Sequence, residues 1–155
     1  MKKVKIIATA ILLVGLSGGL IAFGLKTEVP QKVKDAFTQK FPTAKAIKWD
    51  KESDSEWEAE FKMNGVEYSA NFLADGTWKE TEHELAKKEI PAAIYASLMK
   101  EFPLYKVEEA EISETKDGSV YEFAIEKGKT EMEVVVDMNG KIVKKELKDA
   151  SEDKD

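Results

Sequence analysis

The chain has 155 residues, 30 acidic side chains against 24 basic ones and a formal charge of −6, and every basic residue is a lysine. It contains one histidine and no cysteine. This balance excludes disulfide scaffolds, zinc–cysteine and iron–sulfur sites and thiol catalysis. It also argues against nucleic-acid binding, which uses a basic surface and guanidinium contacts to bases and phosphates.

The first element is an export segment. Lys2, Lys3 and Lys5 precede an apolar run from Ile6 to Phe23, and small residues close it at Ala22 and Gly24. Basic, apolar and then small residues in that order mark a secretory signal over residues 1–24. The alternative is a retained anchor, since the apolar run would rise roughly 27 Å as a helix, close to the thickness of a membrane core. Either way the remainder is expected in the periplasm or outside the cell, and membrane contact is confined to residues 1–24. Without cysteine, stability there rests on the core alone.

From residue 25 onward the chain repeats itself. Val29-Pro30 recurs as Ile90-Pro91, and Phe41-Pro42 as Phe102-Pro103, both 61 positions apart. Further on the offset is 64: Trp57 matches Tyr121, Phe61 matches Ile125, and Asp75-Gly76 matches Asn139-Gly140. One short loop insertion accounts for the change, and the spacing divides the chain into units 25–86 and 87–147. Residues 148–155 are polar and are expected to be disordered.

Each unit reads as one helix followed by four strands. Pro30 and Pro91 suit a helix's first turn, where the missing N–H is harmless, and Pro42 and Pro103 stop the helix. Val33, Phe37 and Phe41, like Ile94, Leu98 and Phe102, recur at helical spacing. The period then becomes two. Trp57, Ala59, Phe61 and Met63 alternate with Glu56, Glu58, Glu60 and Lys62, and Tyr121, Phe123 and Ile125 alternate with Glu122, Ala124 and Glu126. Strands are expected near 44–50, 56–63, 66–73 and 76–82, with counterparts near 105–113, 119–127, 130–137 and 140–147. Asn64-Gly65, Asp75-Gly76, Asp117-Gly118, Gly128 and Asn139-Gly140 supply the hairpin turns. A sheet with one apolar face needs one cover. The predicted architecture is α+β: two helix-plus-four-strand repeats, an antiparallel sheet with both helices on one face, and the other face open.

Val29-Pro30, Phe41-Pro42 followed by Trp49, the run Trp57-Glu58-Ala59-Glu60-Phe61, Tyr68-Ser69-Ala70 and Asp75-Gly76-Thr77-Trp78 resemble the exported PepSY-like proteins, which are grouped with the beta-lactamase-inhibitor-like fold. The resemblance covers nearly all of residues 28–147. It implies tandem units sharing one sheet, no catalytic residues, and a concave face able to bind another protein. Inhibitors of this fold use an aromatic-rich face. Here Ala110 and Ile142 stand where the first unit has Trp49 and Trp78, so inhibition of a lactamase does not carry over.

The outward face is the candidate site. Glu56, Glu58, Glu60 and Glu67 lie on it in the first unit, and Glu122, Glu126, Glu131 and Glu133 in the second. These residues suit either docking of a basic exported or envelope protein or simple solubility, with neighbouring lysines as partners. Trp49 and Trp78 are the candidate aromatic anchors, since buried hot spots favour tryptophan with a charged rim. Trp57, Tyr68 and Phe72 share the inward register and belong to the core. The alternative function is small-ligand or Ca²⁺ sensing in the cell envelope. Asp137-Met138-Asn139-Gly140 resembles part of a calcium loop but lacks the later acidic ligand, so a hairpin explains it better. No cofactor or resident metal is expected. His83, between Glu82 and Glu84, is read as an exposed linker residue, because no nucleophile or second base accompanies it. A glycosidase pair would need one carboxyl set apart from the rest by burial, and alternation alone distinguishes none.

Overall fold

The computed structural model describes residues 28–148; the expected signal segment and the polar tail beyond Lys148 lie outside the described residues. Helix α1 spans Gln31–Lys40 and is followed by strands β1 (Lys45–Lys51), β2 (Glu56–Met63), β3 (Val66–Leu73) and β4 (Trp78–Glu84). A single 3₁₀ turn at Lys87–Glu89 leads to helix α2 (Ala92–Glu101) and to β5 (Lys106–Thr115), β6 (Gly118–Lys127), β7 (Thr130–Asp137) and β8 (Ile142–Lys148). All eight strands form one antiparallel meander in sequence order. The α+β architecture is therefore as the periodicity predicts, and β4 pairs with β5 to make the two units one sheet. Lys148, placed in the tail by its polarity, instead closes β8 opposite Glu131.

The two halves match in detail. Both helices end on a phenylalanine whose N–H reaches back four residues, Phe41 to Phe37 at 2.8 Å and Phe102 to Leu98 at 2.9 Å. Each half has a bulge where its first two strands pair, between Lys45 and Lys48 and between Val107 and Glu109. Each has another where its last two pair, after Asn71 and after Val135. Ala46 takes a left-handed φ of 54° in the first bulge. The two apolar clusters are separate. Val33 and Phe37 of α1, with Phe41 at its C-cap, pack on Trp57, Ala59, Phe61, Ala70 and Phe72. Ile94 and Leu98 of α2, with Phe102 at its C-cap, pack on Ala110, Tyr121, Phe123, Ile125, Val134 and Val136. Each fully buried side chain of this size contributes roughly 1.5–3 kcal/mol.

Two glycines let the sheet approach the helices. A Cβ on Gly76, whose φ is +92°, would lie 2.8 Å from the carbonyl oxygen of Lys32 in α1. A Cβ on Gly140, at φ +86°, would lie 2.8 Å from Ser97 Oγ in α2. The same turn in each half thus packs beneath its own helix. No helix among the described residues is long and apolar enough to cross a membrane.

Candidate functional site: the open face of the sheet

Strand register decides which side chains share the uncovered face. Directly opposed residues in an antiparallel pair point the same way. Lys48 and Asp50 of β1 lie opposite Glu60 and Glu58 of β2, which lie opposite Ser69 and Asn71 of β3, and these face Glu82 and Glu80 of β4. Across the junction Glu82 opposes Ser113 and Glu84 opposes Glu111, and Glu111 opposes Glu122. The row beyond runs Glu109, Ala124, Glu133 and Glu146, and the last runs Lys106, Glu126, Glu131 and Lys148. Glu56, Glu58, Glu60, Glu67, Glu122, Glu126, Glu131 and Glu133 therefore all stand on the face opposite the helices.

Trp49 and Trp78 do not join them. Trp49 lies opposite Ala59 on the covered side, and its ring meets Phe37 edge-on at 5.2 Å. Trp78 lies opposite Phe72, donates its Nε1–H to Thr81 Oγ1 at 2.9 Å, and has Lys40 Nζ 3.5 Å above its ring. The reading that couples these aromatics to the acidic face is corrected: both belong with helix α1. His83 is corrected too. It is part of β4, half-buried, with its ring 4.8 Å from that of Tyr68. Burial lowers its pKa, so the neutral imidazole is favoured.

The outer part of the face carries ion pairs. Lys48 pairs with Glu60 at 3.6 Å, Lys62 with Glu67 at 2.9 Å, Lys144 with Glu146 at 2.9 Å and Lys148 with Glu133 at 2.6 Å. The centre differs. Glu80 and Glu82 of β4 are only 8% exposed, although both lie on the side no helix covers. Neighbouring strands enclose them, while Glu111 and Glu122 are half-buried beside them. None of these four has a lysine ion-pair partner among the described residues. One carboxyl oxygen each of Glu80, Glu82 and Glu111 is buried without any hydrogen-bond partner. The sequence reading missed Glu80, Glu82 and Glu111, and it had found no carboxyl set apart from the others. Burial at the junction of the units sets these apart.

The electrostatic consequence is proton retention. Desolvation, reinforced by the negative field of Glu80, Glu122 and Glu111, pushes Glu82 up to about 9, against which only a hydrogen bond from Ser113 acts. Burial, with Glu122, Glu56 and Glu58 nearby, pushes Glu80 up to about 7, partly offset by Lys79. Burial followed by Glu122, Glu109, Glu84 and Glu133 does the same for Glu111, up to about 7. Glu58, half-buried beside Glu52 and Glu60, also rises to about 7, first through desolvation. Glu122 is raised by burial and Glu133 and relieved by Lys144. Both causes act in one direction, because burial and like charge each penalise the ionised carboxylate.

Chemically, these groups hold their protons to higher pH than an exposed carboxyl would. Among the described residues no group of three or more carboxylates or imidazoles is arranged to hold a metal ion.

A helix-covered antiparallel sheet of two matched halves, with an acidic face that neither helix covers, defines the structural class. The chain belongs to the PepSY-like family, described as beta-lactamase-inhibitor-like, whose profile matches residues 25–68 and 55–144. Solved structures share the fold. A beta-lactamase-inhibitor-protein-like protein from Bacteroides fragilis superimposes with a TM-score of 0.71 at 23% identity, over 81% of this chain and 92% of that one. A DUF2874 family protein from Bacteroides uniformis gives 0.70 at 20% identity, over 76% and 88%. A protein from Bacteroides eggerthii, provisionally described as periplasmic, gives 0.69 at 20% identity, over 77% and 89%. Among curated proteins no relative matches the chain.

Proposed function

We propose that this protein is an exported, non-catalytic binding or inhibitory module that docks a basic exported or envelope protein on the open face of its sheet. The observation that carries the reading is the charge distribution on that face. Lysine-paired carboxylates stand toward the margin, and buried carboxyls with no lysine ion-pair partner among the described residues occupy the middle. A basic partner would be steered by the whole face and would supply the counter-charges that the centre lacks. A merely solubilising surface has no use for buried carboxyls, because water solvates exposed ones at far lower free energy. The signal-like residues 1–24 and the provisionally periplasmic neighbour support the location.

The test is capture from an envelope fraction on the immobilised protein, followed by purification of the captured species. A discrete basic protein should bind directly, and its retention should fall as salt rises. Reversing two face charges, Glu58→Lys with Glu60→Lys, should weaken binding by tenfold or more. Leu104→Ser, at an exposed position just after α2, should leave it unchanged. Equal binding by the charge-reversed protein at low salt would remove the proposal.

A further inference from the structure

The eight-stranded meander is open, so a strand paired on one side only lies at each end of the sheet, β1 at one and β8 at the other. The outer N–H and C=O groups of such a strand form a template for another strand. The two ends differ. β1 is interrupted by its bulge between Lys45 and Lys48, where Ala46 has a left-handed φ of 54°, and a bulge turns an edge away from further pairing. β8 has its irregularity near its start, at Val143, and pairs regularly with β7 from Lys144 to Lys148.

The side chains of β8 divide by face. Lys144, Glu146 and Lys148 lie opposite Val135, Glu133 and Glu131 on the open side, and Lys145 and Leu147 lie opposite Val134 and Met132 on the side of the helices. Val143 lines a groove of about 530 Å³ between α2 and β8, with Ser97, Lys100 and Glu101 of the helix and residues 140, 142, 144 and 145. Val143 and Leu147 are 52% and 62% exposed. The edge therefore shows two uncovered apolar side chains beside the helix, and a lysine and a glutamate between them on the other face.

We propose that β8 pairs antiparallel with β8 of a second copy, about a twofold axis at Lys145, and joins two molecules into one continuous sheet. In that register Val143 faces the second copy's Leu147 and Lys144 faces its Glu146, and symmetry makes each contact twice. Apolar pairs and opposite charges directly across two strands stabilise a ladder. Lys145 meets its own counterpart at the axis, but its Nζ lies 3.8 Å from Glu101 Oε1 of α2, which offsets the like charge. Neighbouring registers lack this match. Centring on Lys144 sets Lys144 against itself and Val143 against Lys145. Centring on Glu146 sets Glu146 against itself and Lys144 against Lys148.

The second copy's Leu147 comes to lie beside Val143 at the mouth of the groove, so each covers the other. The same edge is used by both copies, so the pairing closes as a dimer and does not run on into a fibre. Opposed residues share a face, so both acidic faces point to one side and all the helices to the other. The inference is independent of what docks on that face.

Sedimentation equilibrium of the whole chain, from about 1 µM to 1 mM, tests the proposal. The protein should pass from monomer to dimer with a dissociation constant on the order of 10–100 µM, as a small interface implies. Lys144→Glu and Glu146→Lys should each weaken the dimer by about tenfold or more, because each sets like charges opposite one another twice. Leu147→Ser should weaken it too, and Ile47→Ser, on the opposite edge, should leave it unchanged. Far-UV circular dichroism checks that every variant is folded. Mixed in equal amounts, the Lys144→Glu and Glu146→Lys proteins should dimerise with each other, since one then carries two acidic and the other two basic side chains at positions 144 and 146. An ion pair within one chain cannot produce that rescue.

A protein that stays monomeric to the highest concentration would overturn the proposal. So would a dimer indifferent to both charge reversals and to Leu147→Ser, which would form through another surface, residues 1–24 included. Failure of the two folded charge variants to rescue each other would overturn the register.

Discussion

Glu82→Gln should make the protein less sensitive to rising pH, and the structure sets the size of the effect. Folded Glu82 is raised from its ordinary 4.5 to about 9. The folded state therefore holds this proton when the unfolded chain has lost it. Stability from the group is complete below about pH 4.5 and declines as pH rises toward 9, at up to about 1.4 kcal/mol per pH unit for one proton. Between pH 5 and pH 7 the wild type should lose about 2–3 kcal/mol through Glu82 alone. Glutamine has nearly the shape of the protonated acid, keeps a partner for Ser113 and does not titrate. Urea unfolding followed by tryptophan fluorescence at pH 5, 6, 7 and 8 measures the difference. The two proteins should have nearly equal stability at pH 5 and diverge by about 2–3 kcal/mol at pH 7, with the variant more stable. Parallel pH profiles would refute the reasoning, because they would mean that Glu82 ionises as easily folded as unfolded.

Two further predictions concern the scaffold. Gly76→Ala should destabilise the protein more than Gly65→Ala. Both positions have left-handed backbones, which cost about 1–2 kcal/mol for other residues, but only at Gly76 does the new Cβ also collide with the Lys32 carbonyl; thermal unfolding of both variants compares them. Leu98→Ala, which empties a fully buried site under α2, should cost about 2–5 kcal/mol, read as a lower denaturant midpoint with little change in slope.

Much of this molecule was legible from residue order. Period-two alternation put Glu58, Glu60, Glu122 and Glu133 on one side and Trp57, Phe61 and Phe123 on the other, because successive side chains of any strand point to opposite faces. Prolines at both ends of each helix and glycine-bearing turns marked the element boundaries, because these residues act through their own backbone geometry. The repeat then required the second half to resemble the first. Trp49 and Trp78 escaped this logic. Each lies at a strand beside a bulge or a turn, where alternation breaks, and only the pairing of Trp49 with Ala59 and of Trp78 with Phe72 shows which side they occupy. Ala46 likewise gave no sign of its left-handed backbone.

Burial on the open face lay further out of reach. Glu60 and Glu82 alternate with apolar or neutral neighbours in the same way, yet Glu60 has a lysine beside it and Glu82 has none. The difference is position across the sheet. Glu82 sits on the strand that joins the two units, in the middle of the eight-stranded sheet and close to Glu80, Glu111 and Glu122, so water is displaced from it by residues far away in sequence. Local periodicity sets the side to which a carboxyl points, and only the assembled strand order decides how much solvent and how much like charge it meets there.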